Sequence, residues 1–105
     1  MAEDVKLTHT SALILQTISA GFCYGFDIME ATGLPSGTVY PALRRLEQSS
    51  LIKSKWEKDS VASAELRPAR KYYKLTGAGD EALARATKRY PLLQHLAAGS
   101  KPERS

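Results

Sequence analysis

The sequence predicts a mainly helical α+β fold of one domain, in which several helices precede one small β-hairpin and a further helix. Apolar residues recur at helical spacing through the first half of the chain and again after residue 76. Alternation of apolar and polar residues is confined to two short segments, at residues 51–57 and 70–75. With 105 residues, 43% of them hydrophobic and 25% charged, the chain has the size and composition of a single soluble globular domain.

A first helix is predicted to begin at Thr8 and to end at Gly21. One face of this helix carries an apolar stripe about 100° wide, as expected of a helix that packs on a core. The stripe contains Ile14, Leu15 and Ile18. Leu13 falls almost opposite the stripe, where it is either an isolated exposed leucine or a contact with a second subunit.

Two further helices are predicted close together. A short second helix spans Phe26–Thr32, with Gly33 as its C-cap. The third helix lies in the segment Pro35–Gln48, with Ser36 as its N-cap. Two short helices joined by a tight turn that contains glycine predict a helix-turn-helix.

The third helix has one apolar face and one open face. Val39, Leu43 and Leu46 recur at spacings of four and three residues and predict the buried side. The open side combines hydroxyls, a phenol and two guanidiniums. Its residues are Thr38, Tyr40, Arg44, Arg45 and Gln48. Pro41 is placed in the first turn, where a missing amide costs little. Such a helix can enter the major groove of DNA, or it is an ordinary surface helix with a charged face.

Charge is concentrated in the middle of the chain. Residues 44–75 hold nine Lys and Arg against four Asp and Glu, a net charge of +5, whereas residues 1–43 have a net charge of −3 and residues 76–105 a net charge of +2. A basic central segment is typical of a nucleic-acid-binding surface, although a solvated basic face would look the same.

Two strands are predicted after the third helix, in Leu51–Glu57 and Arg70–Leu75. Tyr72 and Tyr73 point to opposite faces of the second strand, so only one of them can lie in the core. The segment of residues 58–69 between the strands is polar, shows no apolar period and is predicted to be a loop. A hairpin after a helix-turn-helix predicts a β-wing that leans on the helices.

Thr76 is predicted to N-cap a fourth helix that Pro91 either bends or interrupts. Small and apolar residues share one face of this helix, which would allow close approach of another helix. A two-fold dimer is therefore expected, with contacts from Leu13, Leu83, Ala86 and Tyr90. The single domain of residues 1–105 thus divides into a winged helix-turn-helix region at residues 8–75, a dimerisation helix at residues 76–98 and a tail at residues 99–105.

An enzyme, a cofactor and a metal site are not expected. His9 and His95 lie at opposite ends of the chain, and Cys23 has no partner at metal-ligand spacing, so it is expected to be packed. The longest apolar run, Ala12–Leu15, is too short for a membrane span. No N-terminal targeting pattern is present in the sequence, and one cysteine fits a reducing compartment, so a cytoplasmic location is expected.

The order of these segments resembles PadR-type transcriptional regulators over roughly residues 10–80. The resemblance rests on Tyr24-Gly25, Ser36-Gly-Thr-Val-Tyr-Pro-Ala-Leu-Arg-Arg-Leu-Glu47, Leu51-Ile52, Trp56-Glu57 and Arg70-Lys-Tyr-Tyr-Lys-Leu-Thr76. It implies a winged helix-turn-helix homodimer that represses genes by binding near-palindromic operators in double-stranded DNA. In that family the third helix enters the major groove, the wing touches flanking DNA and the last helix dimerises. The chain resembles the short branch, which lacks a large C-terminal domain.

The resemblance also implies roles for single residues. It places Ser36, Thr38 and Tyr40 at the groove, Arg44 and Arg45 near phosphates or base edges, and Arg70 and Lys71 on the DNA backbone at the base of the wing. This sequence departs from the family pattern in its long wing, which lacks glycine between residues 58 and 69, and in Thr76-Gly-Ala-Gly79. The alternative function is a winged helix that contacts only other proteins, but such a module needs no groove-facing arginines.

Trp56, the only tryptophan, has two interpretations. It either caps the small core or lines a cavity between subunits, where a flat aromatic ligand would stack on it. In the second interpretation a small aromatic effector changes the angle between the two DNA-reading heads and releases the operator. The sequence leaves both interpretations open.

Overall fold

The computed structural model describes residues 7–89, and within that range it contains five helices and one two-stranded antiparallel sheet. In chain order the elements are α1 (His9–Ser19), α2 (Gly25–Thr32), α3 (Ser36–Gln48), β1 (Ile52–Trp56), α4 (Asp59–Ala64), β2 (Lys71–Leu75) and α5 (Gly77–Arg89). The predicted mainly helical fold with a small hairpin is confirmed. The features predicted at Tyr90, at Pro91 and in residues 99–105 lie outside the described residues.

Local capping chemistry explains the start of α1 and the ends of α1 and α2, whereas α2 begins at Gly25 without a side-chain cap. The Ser11 amide donates a hydrogen bond of 3.0 Å to Thr8 Oγ1, which caps the start of α1. Gly21 and Gly33 follow the ends of α1 and α2 with φ values of 109° and 76°. Glycine adopts such positive φ values without the penalty that a Cβ would bring.

The start of α3 differs from the prediction. Ser36 is the first helical residue, and Pro35 takes the N-cap position with a φ of −76°. The Pro35 carbonyl accepts the Val39 amide at 3.0 Å, and the fixed φ of proline suits this extended cap. Pro41 therefore lies in the second turn rather than the first, where its missing amide leaves the Gly37 carbonyl without an intrahelical donor.

α1 is the central element of the fold and packs against α2, α3, β2 and α5. The apolar residues predicted for the inner faces of α1 and α3 are buried. The largest fully buried side chains are Ile14, Leu15, Ile28, Val39, Leu43 and Ile52. Each side chain of this size contributes about 1.5–3 kcal/mol by leaving water. This core holds one side of α3 and leaves the opposite side open to solvent.

The segment of residues 58–69 contains helix α4, whereas the sequence predicted a loop. The Lys58 carbonyl accepts the Ala62 amide at 3.1 Å at the start of α4. At its end the Arg67 amide donates to the Ala62 carbonyl at 3.2 Å, with Leu66 at a φ of 58°. α4 has six residues, of which only Ala62 is buried, so its sequence shows no apolar period from which a helix could be predicted.

The two strands and α4 form the wing, residues 52–75. The antiparallel register places Trp56 opposite Lys71. On the other edge of β2, the Tyr73 amide donates to the Cys23 carbonyl at 2.7 Å. The segment between α1 and α2 therefore anchors the wing to the helices. Tyr73 is buried and Tyr72 is half-buried on the opposite face, as the alternation predicted.

α5 packs against α1 and β2 of the same chain. The Gly79 amide donates to Thr76 Oγ1 at 3.0 Å, which confirms the predicted N-cap. Gly79 lies so close to the Leu51 carbonyl that a Cβ would collide with it. Leu83 and Ala86 are 8% and 0% exposed and belong to the core. The prediction that they form an open dimer face is wrong, because α1 already covers the small-residue face.

Candidate nucleic-acid interface

The solvent side of α3 carries the side chains that the sequence assigned to DNA. Ser36, Tyr40, Arg44 and Arg45 are exposed, and Thr38 is half-buried. Successive residues of an α-helix diverge by about 100°, so Arg44 and Arg45 leave α3 on different flanks. Arg44 lies with Tyr40 on the flank that faces the wing, and Arg45 does not line that side. The open face of α3 therefore presents two separate basic flanks.

Glu47 joins α3 to both strands of the wing. Ser54 on β1 donates its hydroxyl to Glu47 Oε2 at 2.6 Å, and Lys71 Nζ on β2 lies 3.8 Å from Glu47 Oε1. Burial raises the pKa of the nearby Tyr73 phenol, and the Glu47 carboxylate acts in the same direction. No sequence signal singled out Glu47, because its partners lie on elements whose placement depends on the tertiary fold.

Arg70 and Lys71 line the space between α3 and the wing. The Arg70 guanidinium carbon lies 4.2 Å from the centroid of the Tyr24 ring, in a cation–π contact. Lys71 Nζ lies 5.8 Å from the ring centroids of both Trp56 and Tyr73. The structure thus brings these two cations to the same side as Arg44.

A second cluster at the end of the hairpin was missed by sequence reasoning. Glu57 accepts two hydrogen bonds from Arg67, of 2.6 and 2.9 Å, with the Arg70 amide at 3.2 Å and the Tyr72 hydroxyl at 3.3 Å. The Arg67 hydrogen bond is the main cause that lowers the pKa of Glu57 from 4.5 to about 2. This bidentate pair spans ten residues and holds the chain after α4 against the end of β1.

A cleft of about 720 Å³ separates α3 from the wing, and we call it the helix–wing cleft. Side chains from α2, α3 and the wing line it. The members that matter chemically are the aromatic residues Tyr24, Phe26, Tyr40, Trp56 and Tyr73, the cations Arg44, Arg67, Arg70 and Lys71, and the carboxylate of Glu47. The cleft is therefore both aromatic and net positive.

Gly25 shapes one wall of the helix–wing cleft. A Cβ built at Gly25 would collide with the hydroxyl of Tyr40 and would lie 2.6 Å from its Cε1 and Cζ atoms. The Tyr40 ring therefore packs directly on the backbone at the start of α2. This close approach explains why glycine suits position 25, which belongs to the Tyr24-Gly25 pair on which the family resemblance rests.

Trp56 does not cap the core. Its side chain is 62% exposed at the end of β1, and it lines the helix–wing cleft. This cleft is formed within one chain, whereas the sequence placed the candidate cavity between subunits. The interpretation of Trp56 as a core residue is wrong, because β1 extends beyond the core, where Ile52 is buried and Trp56 is not.

Of the four residues predicted at a dimer interface, two are core residues. Leu83 and Ala86 pack inside the chain, and Leu13 is half-buried on α1. Tyr90 lies outside the described residues. Cys23, which the sequence predicted to be packed, is half-buried. Within residues 7–89 no group of His, Cys, Asp and Glu side chains is placed to hold a metal ion, and no helix is long and apolar enough to cross a membrane.

Comparison with known proteins identifies one family. The family model described as the transcriptional regulator PadR-like family matches residues 14–85, which contain α3, the wing and most of α1 and α5. No curated protein matches the chain.

Solved structures of similar fold include members of that family. A PadR family transcription regulator from Clostridium difficile R20291 is 27% identical with a TM-score of 0.70, and the match covers 88% of this chain and 97% of that one. A PadR-like regulator from Bacillus cereus ATCC 14579 is 26% identical with a TM-score of 0.63, covering 85% and 87%. BpsR of Bordetella bronchiseptica shares the fold at 19% identity with a TM-score of 0.68, covering 96% and 72%.

Proposed function

The chain belongs to the transcriptional regulator PadR-like family, and on this premise we propose that it is a dimeric repressor that binds near-palindromic operators in double-stranded DNA. Members of this family are transcriptional regulators, so the chain is a DNA-binding regulator and not an enzyme.

The observation that carries the proposal is the juxtaposition of α3 and the wing. The open face of α3 presents hydroxyls, a phenol and two guanidiniums, and Arg70 and Lys71 of the wing lie on the same side as Arg44. A helix of this kind reads base edges in the major groove, while cations beside it bind phosphates. We assign Ser36, Thr38, Tyr40 and Arg45 to the groove and Arg44, Arg70 and Lys71 to the DNA backbone.

Arg44 is assigned to the backbone because of its neighbours. It lines the helix–wing cleft together with Arg70 and Lys71, so a DNA strand that passes between α3 and the wing would meet three cations. Arg45 leaves α3 on the other flank and is free to reach a base edge deeper in the groove.

A repressor of a near-palindromic operator needs two reading heads related by a two-fold axis. Two copies of α3 would then contact successive major grooves, about 34–36 Å apart or a whole multiple of that distance. Leu13 is the described residue that we assign to the interface, together with Tyr90. Leu83 and Ala86 are excluded from it because they are buried within one chain.

Release of the operator by a small aromatic effector, in the cytoplasm, is part of the same proposal. The helix–wing cleft with its exposed Trp56 supports it. In BpsR, a protein of the same fold, DNA binding is described as regulated by 6-hydroxynicotinic acid.

The test of this proposal is DNA binding by the purified chain. Duplexes from upstream of its own gene are labelled and titrated by fluorescence anisotropy at several salt concentrations. The proposal predicts one duplex that binds much more tightly than the others, and affinity for every duplex that falls steeply with salt. Equal and weak binding to all duplexes, without dependence on salt, would instead favour a module that contacts only proteins.

A further inference from the structure

The outer edge of β1 has no neighbouring strand among residues 7–89. The Glu57 amide donates to the Arg70 carbonyl at 2.7 Å, just past the paired residues of the sheet. Ladder hydrogen bonds alternate along an antiparallel pair, so Lys53 and Lys55 also direct their backbone groups toward β2. The N–H and C=O groups that point away from β2 belong to Ile52, Ser54 and Trp56. No hydrogen bond to these outward groups is formed within residues 7–89.

The opposite edge of the sheet shows the same alternation but is occupied. Tyr73, the cross-strand partner of Ser54, donates its outward amide to the Cys23 carbonyl at 2.7 Å. Tyr24 forms an antiparallel bridge with Tyr72 at the same edge. The segment between α1 and α2 therefore covers β2, and β1 is the open edge of the wing. An open strand edge can bind an extended segment, which joins the sheet as a further strand.

Three lysines lie on the outer face of the sheet, which is the face opposite to Trp56. Lys53 and Lys55 are exposed on β1, and Lys74, the cross-strand partner of Lys53, is exposed on β2. None of the three forms an ion pair within residues 7–89. The carboxylate on this face, that of Glu57, is already held by Arg67. Like charges directly opposite each other destabilise a strand pair, so an anion beside Lys53 would be favourable.

These charges determine which kind of segment fits the open edge. In a strand added beside β1, alternate side chains would lie directly opposite Lys53 and Lys55, with Cβ atoms about 4.5–5.5 Å apart. A second copy of β1, paired antiparallel about Ser54, would set lysine against lysine and is disfavoured. A DNA strand would bring phosphates to the lysines but would leave the outward backbone groups of β1 without strand partners. A segment with carboxylates at alternate positions satisfies both the lysines and the edge.

We propose that β1 binds an acidic segment of another protein in extended conformation, which joins the wing as a third strand. The outward N–H and C=O groups of Ile52, Ser54 and Trp56 bind the backbone of this segment. Lys53 and Lys55 select it by pairing with two carboxylates that are two residues apart. None of these residues is assigned to DNA above, so the interaction is an additional function and does not depend on DNA binding.

The experiment uses a synthetic peptide as the probe. The full chain is titrated with fluorescein-labelled Thr-Glu-Val-Glu-Val-Thr, and anisotropy should show saturable binding. A peptide of the same composition with adjacent carboxylates, Thr-Glu-Glu-Val-Val-Thr, should bind at least about fivefold more weakly, because its two carboxylates point to opposite faces of the added strand. Equal binding of the two peptides, or no saturation at millimolar peptide, would overturn the proposal.

Amide hydrogen exchange tests whether the peptide joins the sheet. Binding of the peptide should slow exchange of the outward amides of Ser54 and Trp56. The amides of Lys53 and Lys55, which already donate to β2, should change little. A peptide that binds without this alternation is held by charge alone, and such a result would contradict the addition of a strand.

Variants locate the binding surface. Lys53→Gln combined with Lys55→Gln should weaken peptide binding at least about fivefold. The control removes two exposed cations from α5, by Arg85→Gln combined with Lys88→Gln, and should bind as the wild type does. Equal losses in the two double variants would mean that the peptide responds only to net charge. If a short DNA duplex loses affinity with Lys53 and Lys55 and the peptide does not, the outer face binds nucleic acid and the proposal is wrong.

The backbone of the edge is tested at Ser54. Ser54→Pro removes an outward amide that takes no part in the ladder, a position at which an edge strand tolerates proline. This variant should weaken peptide binding at least about fivefold, whereas Ser54→Ala, which removes only the hydroxyl, should not. Circular dichroism confirms that each variant is folded. Equal peptide affinity of the two Ser54 variants would show that the edge does not bind the backbone of the peptide.

Discussion

Ser54 and Glu47 connect the wing to α3 through a hydrogen bond of 2.6 Å from the Ser54 hydroxyl to Glu47 Oε2. The other carboxylate oxygen of Glu47 faces Lys71 at 3.8 Å, so one side chain of α3 contacts both strands. This arrangement ties α3 to the wing, the two parts of the chain that we assign to DNA contact. It also places one negative charge among cations that we assign to phosphate binding.

Removing that charge should strengthen DNA binding. Glu47→Gln keeps the shape of the side chain and removes its repulsion of phosphate, so affinity at low salt should rise about fivefold, the effect of about 1 kcal/mol between charges near 4 Å apart in water. Anisotropy titrations measure this change, and Glu65→Gln, which removes an exposed carboxylate that does not line the helix–wing cleft, is the control. Weaker binding of Glu47→Gln would show that the contact matters more than the charge.

The two arginines of α3 should behave differently. Arg45→Ala is expected to weaken operator binding by about 1–3 kcal/mol and unrelated DNA much less, because a base contact is lost. Arg44→Ala should weaken all sequences alike and reduce the salt slope by about one, as expected for a phosphate contact. Lys88→Ala, an exposed cation on α5, controls for net charge. If neither variant binds differently from the control, α3 is not the reading helix.

Acid should loosen the wing through Glu57. Its pKa is lowered from 4.5 to about 2 in the folded chain, so its contribution to stability is complete above about pH 4.5 and is lost as pH falls toward 2. The melting temperature should therefore fall between pH 6 and pH 2, and it should fall less in Glu57→Gln than in the wild type. Arg67→Met should reduce this fall by the same amount. A Glu57→Gln variant that loses stability with acid as steeply as the wild type would exclude this role.

Leu83 should act on folding rather than on dimerisation. Leu83→Asp buries a carboxylate in the core and should unfold the chain, since even Leu→Ala at a buried site costs about 2–5 kcal/mol. Ala84→Asp, at an exposed position of the same helix, should leave the fold intact. Circular dichroism on heating separates the two variants. A folded monomer of Leu83→Asp would restore the dimer interpretation.

The fold was predictable where its signals are local. Apolar periodicity located α1 and α3, Thr76 formed the expected cap, and glycine ended α1 and α2. α4 was not predictable, because one buried alanine gives no period. The burial of Leu83 and Ala86 against α1 was not predictable either. A helix face of small residues can pack against a helix of the same chain as well as against one of a second subunit.

The open face of α3 was predictable, but its surroundings were not. The helical period placed Tyr40, Arg44 and Arg45 on the exposed side of α3, where the structure has them, and their contact with DNA stays a prediction. The pairs Ser54–Glu47 and Arg67–Glu57 were missed, because they join elements whose distance is set by the core. The exposure of Trp56 was missed for the same reason, because alternation assigns a face to a strand residue but not the point at which the core ends.

The most direct test of the DNA-binding account is a hydroxyl-radical footprint of the chain on its operator, read together with methylation interference in the major groove. The account predicts two protected segments on one face of the duplex, centred one helical turn of about 10 base pairs or a whole multiple apart, each with interference at major-groove guanines. A single protected segment, or protection without any interference in the major groove, would contradict a dimer that reads DNA with α3.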